Sequence, residues 1–149
     1  MKKIIVMLAV CLLAFAAFEL RAQSQDLPTL TSAQYASMKK DDVYVIMFSF
    51  EGCLPCRLAK LKGNIISSLV AKYASDPQVH VYVFPVDRDT PAPDGTQLNK
   101  RLGVEQYPTF VVLSNDTDHL SDSAPLSGYS ADKRANLEKK IIETVSRVK

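Results

Sequence analysis

In the stretch EGCLPCRLAK, residues 51–60, Cys53 and Cys56 stand three positions apart with Leu54 and Pro55 between them. A sulfur pair at this spacing can exchange a disulfide, supply half of a metal site, or staple the chain. On a helix, residues i and i+3 carry their Cβ atoms about 5–6 Å apart, near enough for a disulfide to close. A cysteine at the start of a helix also meets unpaired backbone N–H groups and the positive end of the helix dipole. That position stabilises an anion by about 0.3–1 kcal/mol, and by ~2 in sheltered geometry. The corresponding fall in pKa is about 0.2–1.5 from a free value of ~8.5. The thiolate is the attacking species in exchange, so position alone can make Cys53 a nucleophile. Pro55 suits the first helical turn, where its missing N–H would have had no partner. Glu51 acts in the opposite sense, because a nearby carboxylate disfavours a thiolate.

The two rival chemistries have less support. A structural zinc site takes four donors, and His80 and His119 are single, far apart and outside any ligand spacing. No metal and no cofactor is expected. A staple across so small a loop stabilises little in the chain-entropy model. At 149 residues and 47% apolar composition, one domain can also pack a core without cross-links. The redox reading is favoured, with the other two kept beside it.

The compartment is read from the N-terminus. MKKIIVMLAVCLLAFAAFELRAQSQ has two lysines and then an uncharged run from Ile4 to Phe18. That pattern fits a secretory signal peptide and is short for a bilayer span. The expected organisation is a signal peptide over 1–22, a flexible lead-in over 23–30 and one domain over 31–149. Cleavage removes Lys2, Lys3 and Arg21 against Glu19, which cancels the formal charge of +2. A neutral domain lacks the basic face that nucleic acid demands. Cys11 lies inside the apolar run, not at its end, so lipidation there is not expected. Export to the periplasm or beyond places the remaining pair in an oxidising compartment, where Cys53 can pair within the chain only with Cys56.

The elements that must position the pair alternate. SAQYASMKK (32–40) is a short helix with Thr31 or Ser32 as N-cap. VYVIMFSF (43–50) is apolar enough for a buried central strand. From Leu54 to Ala74, apolar Leu58, Leu61, Ile65, Ile66, Leu69, Val70 and Tyr73 recur at helical spacing, with a bend at Gly63-Asn64. A second strand follows at 79–86, then a Pro- and Asp-rich loop at 87–95 and a short helix ending at Gly103. A third strand is expected at 109–114, a turn at 115–118 and a fourth strand within 119–127. The last helix, 132–148, has Leu137, Ile141, Ile142 and Val145 on one face. Alternating strands and helices closed by a hairpin and a final helix predict a three-layer α/β/α sandwich with a mixed central sheet.

Taken together, the strand VYVIMFSF, the motif CLPC, YPT at 107–109 and the closing LSGYSADKRANLEKKII resemble the thioredoxin superfamily across nearly the whole mature domain. The resemblance implies that Cys53 is the exposed attacking thiol and Cys56 the buried resolving thiol. It implies a cis Pro108, and a Tyr107 whose backbone pairs with an extended substrate segment. Pro108 and Leu54 would bind the substrate with Tyr107, and Pro55 and Glu51 would support the motif. Three positions depart from the pattern. Gly52 stands where a tryptophan is typical, in a chain with no tryptophan. Met47 stands where a buried acid is common, and the lysine often near that acid is replaced by apolar residues. A proline before the second cysteine resembles the reducing members. The expectation is therefore an exported reductase of protein disulfides that needs a membrane electron donor. An oxidase or isomerase of exported proteins, and a non-catalytic binding module, remain as alternatives.

Overall fold

A computed structural model describes residues 27–61, 63–86, 98–114, 126–128 and 130–148. The expected signal peptide with Cys11, the expected loop at 87–95, the expected turn at 115–118 and His119 lie outside the described residues. The elements are α1 (Ser32–Ala36), β1 (Val43–Ser49), α2 (Leu54–Lys60), α3 (Ile65–Tyr73), β2 (Val79–Pro85), α4 (Leu98–Arg101), β3 (Thr109–Ser114), β4 (Leu126–Ser127) and α5 (Ala131–Arg147). The strands form one sheet in the order β2-β1-β3-β4. β2 runs parallel to β1, while β3 and β4 follow antiparallel.

β1 is buried along its whole length, because both faces of the sheet are covered. Its side chains alternate between faces, as a strand requires. Val43, Val45 and Met47 join Ile66 and Leu69 of α3 and Leu137 and Ile141 of α5 in one core cluster. Tyr44, Ile46 and Phe48 join Leu30, Met38, Leu98 and Val104 in the other. These are the expected three layers. Lys72 of α3 donates to Glu138 of α5 at 2.8 Å, and this bond, helped by Arg134, holds the Glu138 carboxyl below its usual range.

Four sequence expectations are revised. The lead-in expected to be flexible is tied down over Leu27–Leu30. Leu30 N–H donates to Val83 O at 2.9 Å and Val83 N–H to Pro28 O at 2.8 Å, and Leu30 is buried. α1 ends four residues early, at Ala36. Thr31 and Gln34 close a capping box at its start, but Met38 turns into the core and Lys39 N–H donates to Tyr44 Oη at 2.7 Å.

The expected bend at Gly63-Asn64 is a complete break between α2 and α3. Leu61 is extended (ψ 150°) and Gly63 is left-handed (φ 83°), a conformation no helix interior can hold. Asn64 Nδ2 and Ser67 Oγ, each at 2.6 Å, satisfy the carbonyls of Leu58 and Leu61 freed by the break. Leu58 and Leu61, expected inside, are consequently exposed. On α5, Ile142 is also exposed, at 59%, and Thr144 takes the inner place, with Oγ1 donating to Lys140 O at 2.8 Å. Ile142 follows Ile141 by 100° around the helix, too far to share its face.

The two isoleucines give a direct check. Ile141→Ala is expected to cost about 2–5 kcal/mol, the range for emptying a fully buried site. Ile142→Ala should stay within about 0.5 kcal/mol. Urea unfolding of both variants measures the difference.

Candidate functional site

β1 ends at Ser49, and Phe50, Glu51 and Gly52 turn the chain toward α2. Gly52 has φ 86°, which glycine adopts without penalty and a side-chain-bearing residue does not. The turn therefore gives a backbone reason for glycine at the position where the resemblance led one to expect tryptophan.

Cys53 is the N-cap of α2 and Pro55 lies in its first turn, as the motif required. The sulfurs of Cys53 and Cys56 are joined at 2.01 Å, with Cα atoms 5.2 Å apart. Cys56 N–H donates to Cys53 Sγ at 3.2 Å, so one of the free N–H groups at the helix start is aimed at the first sulfur. Cys56 is 1% exposed, as the resolving role implied. Cys53, expected to be exposed, keeps only 4%, because in the closed disulfide both residues belong to the core cluster on the α2 side of the sheet. Leu54, at 62%, Pro55 and Glu51 are the exposed rim of the motif.

The β1–β3 register brings the second part of the site alongside. Thr109 lies opposite Phe48, so the Tyr107-Pro108 pair leads into β3 beside the end of β1. The peptide bond between them is cis. Pro108 is buried and its carbonyl accepts from Gly128 N–H at 2.9 Å. Tyr107 is half-buried, packs against both core clusters and accepts from Asn99 Nδ2 at 3.1 Å. Among the described residues, no backbone hydrogen bond uses its N–H or C=O.

Three features were not read from the sequence. Phe50, read as the end of a strand, meets the Tyr107 ring edge-on at 5.4 Å and is 46% exposed. Leu54, Leu58 and Leu61, at helical spacing, form an exposed apolar stripe leading away from the disulfide. Lys60 Nζ donates to the buried Ser49 Oγ at 3.0 Å. Only the first had a signal, an aromatic immediately before the turn. Met47, in the place of the expected acid, is fully buried in the same cluster as the two cysteines. His80 stands at the other end of β1, where Nε2 meets Asp42 Oδ2 at 2.9 Å and the ring stacks on Tyr44.

No family model and no curated protein sequence matches this chain. Solved structures do match it. The germline-specific thioredoxin Deadhead of Drosophila melanogaster superposes with a TM-score of 0.51 at 25% identity, over 76% of this chain and 97% of that one. Thioredoxin f2 of Chlamydomonas reinhardtii gives 0.53 at 22% identity, over 76% and 94%. Thioredoxin NaTrxh of Nicotiana alata gives 0.53 at 22%, over 81% and 97%. The fold is that of the thioredoxin superfamily. On that fold, a closed disulfide at the start of the helix after β1 makes this a thiol–disulfide redox site.

The turn that delivers Cys53 is open to test. A Cβ on Gly52 would meet nothing within 4 Å, so substitution there is opposed by the backbone alone. Gly52→Ala is expected to destabilise the protein by about 1–2 kcal/mol. Gly52→Asn should lose less, since asparagine tolerates left-handed geometry. Denaturant midpoints of the two variants measure the order.

Proposed function

We propose that the protein is an exported thiol–disulfide oxidoreductase that reduces disulfides in other proteins. The observation that carries the reading is the Cys53–Cys56 disulfide at the N-cap of α2, where helix geometry favours the thiolate of the first cysteine. In the reduced protein, Cys53 thiolate attacks one sulfur of a substrate disulfide and displaces the other as a thiolate, which takes a proton from water. Cys56 thiolate then attacks Cys53 Sγ, releases the substrate's second sulfur and closes the bond seen here. Two electrons pass to the substrate, and a dithiol donor must return them.

A protein substrate suits the surroundings. Phe50, Leu54, Leu58 and Leu61 expose apolar surface around the sulfurs, and the backbone of Tyr107 can pair with an extended segment. The reducing direction rests on Pro55 before Cys56, the feature shared with reducing members of the superfamily. Export rests on the N-terminal apolar run, and in an oxidising compartment the donor would have to be membrane-borne.

Equilibration with glutathione is expected to place the couple well below the ~ −120 mV of a strong exported oxidant. A value at or above that figure would exclude the reductase and favour an oxidase. In cells, Cys56→Ala should trap substrates and donor as mixed disulfides on Cys53, released by reductant. Absence of any such adduct would leave a binding module in its place.

A further inference from the structure

Lys60 follows Cys56 by one helical turn. α2 buries Cys56 and Ala59, 1% and 0% exposed, and Lys60 beside them is half-buried. Its Nζ donates to Ser49 Oγ at 3.0 Å. Ser49 is itself 1% exposed, at the end of β1 and, by strand alternation, on the same sheet face as Met47. Residues i and i+4 of a helix carry Cβ atoms about 5–6 Å apart, so Lys60 and Cys56 leave α2 as neighbouring side chains.

Among the described residues, the core cluster beside Lys60 is apolar. β1 contributes Met47 and Ser49, and α3 contributes Ile65, Ile66 and Leu69. Tyr73 and Tyr107 are titratable side chains packed on this cluster, and Glu51 and Arg57 are exposed. Burial pushes the lysine's pKa below its ordinary value. Among the described residues, its hydrogen-bond partner is a neutral hydroxyl. A desolvated cation without a counter-ion is costly. Among the described residues, the neighbouring side chain on α2 that can become an anion is the Cys56 thiol.

We propose that Lys60 is the positioning cation of the resolving thiol: anchored on Ser49, it stabilises the Cys56 thiolate that discharges the mixed disulfide. This deepens the redox reading above and rests on it. In that step the Cys56 thiol gives its proton to solvent and its thiolate attacks Cys53 Sγ. The Cys53–Cys56 bond forms, the bond from Cys53 to the substrate sulfur breaks, and the departing thiolate takes a proton from water. An opposite charge within ~4–6 Å lowers an acid's pKa by about 1–3, which raises the thiolate fraction near neutrality about tenfold or more. Met47 leaves no carboxylate to accept the proton, and Lys60 acts instead on the stability of the anion.

The test is a titration of thiolate ultraviolet absorbance in the full chain carrying Cys11→Ala and Cys53→Ala, so that Cys56 is the sole thiol. Adding Lys60→Met should raise the titration midpoint by about 1 pH unit or more, and Lys60→Arg should bring it back. A midpoint that Lys60→Met leaves in place, in a protein with unchanged circular dichroism, overturns the proposal. If Lys60→Met does not fold, Ser49→Ala serves, because it keeps the charge and removes its anchor. A raised midpoint then supports the proposal, and an unmoved one overturns it. Insulin reduction by the unsubstituted protein reports separately on the redox reading, so the two can fail independently.

Discussion

Burial of β1 on both faces is the constraint from which the rest of the structure follows. A strand with seven consecutive buried residues needs a neighbour on each edge and a helical layer on each side, since its backbone groups can be satisfied only by pairing. β2 and β3 supply the edges. α3 and α5 cover one face, while α1, α4 and the residues around them cover the other. The C-terminal end of β1 is thereby fixed in space, and both halves of the site are referenced to it. Cys53 follows it along the chain after a three-residue turn, and Tyr107-Pro108 reaches it across the β3 register. The edge-on contact of Phe50 with Tyr107 joins the two halves.

Much of this was legible in the residues. A nearly unbroken apolar run at 43–49, rich in β-branched and aromatic residues, reads as a doubly covered strand, and the spacing of the cysteine pair narrows its chemistry to three readings. Gly103 ends α4 in the left-handed conformation expected of a C-cap, with Val104 N–H returning to Asn99 O at 2.8 Å. What failed did so where tertiary geometry outranks local pattern. Hydrophobic spacing from Leu54 to Tyr73 reads as one helix, because periodicity registers a glycine only as weakness and not as a positive φ. Ile142 was placed on the inner face of α5 by its spacing, yet it points outward, and Thr144 joins Leu137 and Ile141 among the buried residues. The docking of Pro28 and Leu30 on β2 left no mark in a polar, proline-containing segment. The site divides in the same way: the sulfurs, Pro108 and Tyr107 were visible as a motif, but Lys60 and Ser49 are eleven residues apart on different elements and had no shared signature.

The chemistry of the site depends on how little water and charge surround the inner sulfur. Cys56 is nearly sealed, Met47 is buried in the same cluster, and the helix start donates its N–H to the outer sulfur. An apolar environment raises a thiol's pKa by penalising the anion, and a helix start acts chiefly on the residue at the cap. The two sulfurs are therefore tuned by different agents: backbone polarity for Cys53, and side-chain charge on the inner face of α2 for Cys56. A carboxylate at the Met47 position would have opposed that charge as a counter-ion. With methionine there, the hydrogen-bond partner of the lysine among the described residues is the neutral Ser49 hydroxyl.

The break between α2 and α3 sets this arrangement as much as the motif does. Had the helix run on without interruption, Leu58 and Leu61 would have been required for its buried stripe, as their spacing with Ile65 and Leu69 suggests. Ending α2 at Lys60 frees the seven-residue segment to choose its own inner face, and it buries Cys56 and Ala59. The leucines are left outside beside the disulfide, and Lys60 sits at the helix end where a cation is favoured by the dipole. Gly63 in its left-handed conformation and Asn64, bonded to the Leu58 carbonyl, hold the break in place. Two residues with no chemistry of their own thus decide which side chains α2 presents: apolar ones toward an incoming protein, and Lys60 toward Ser49.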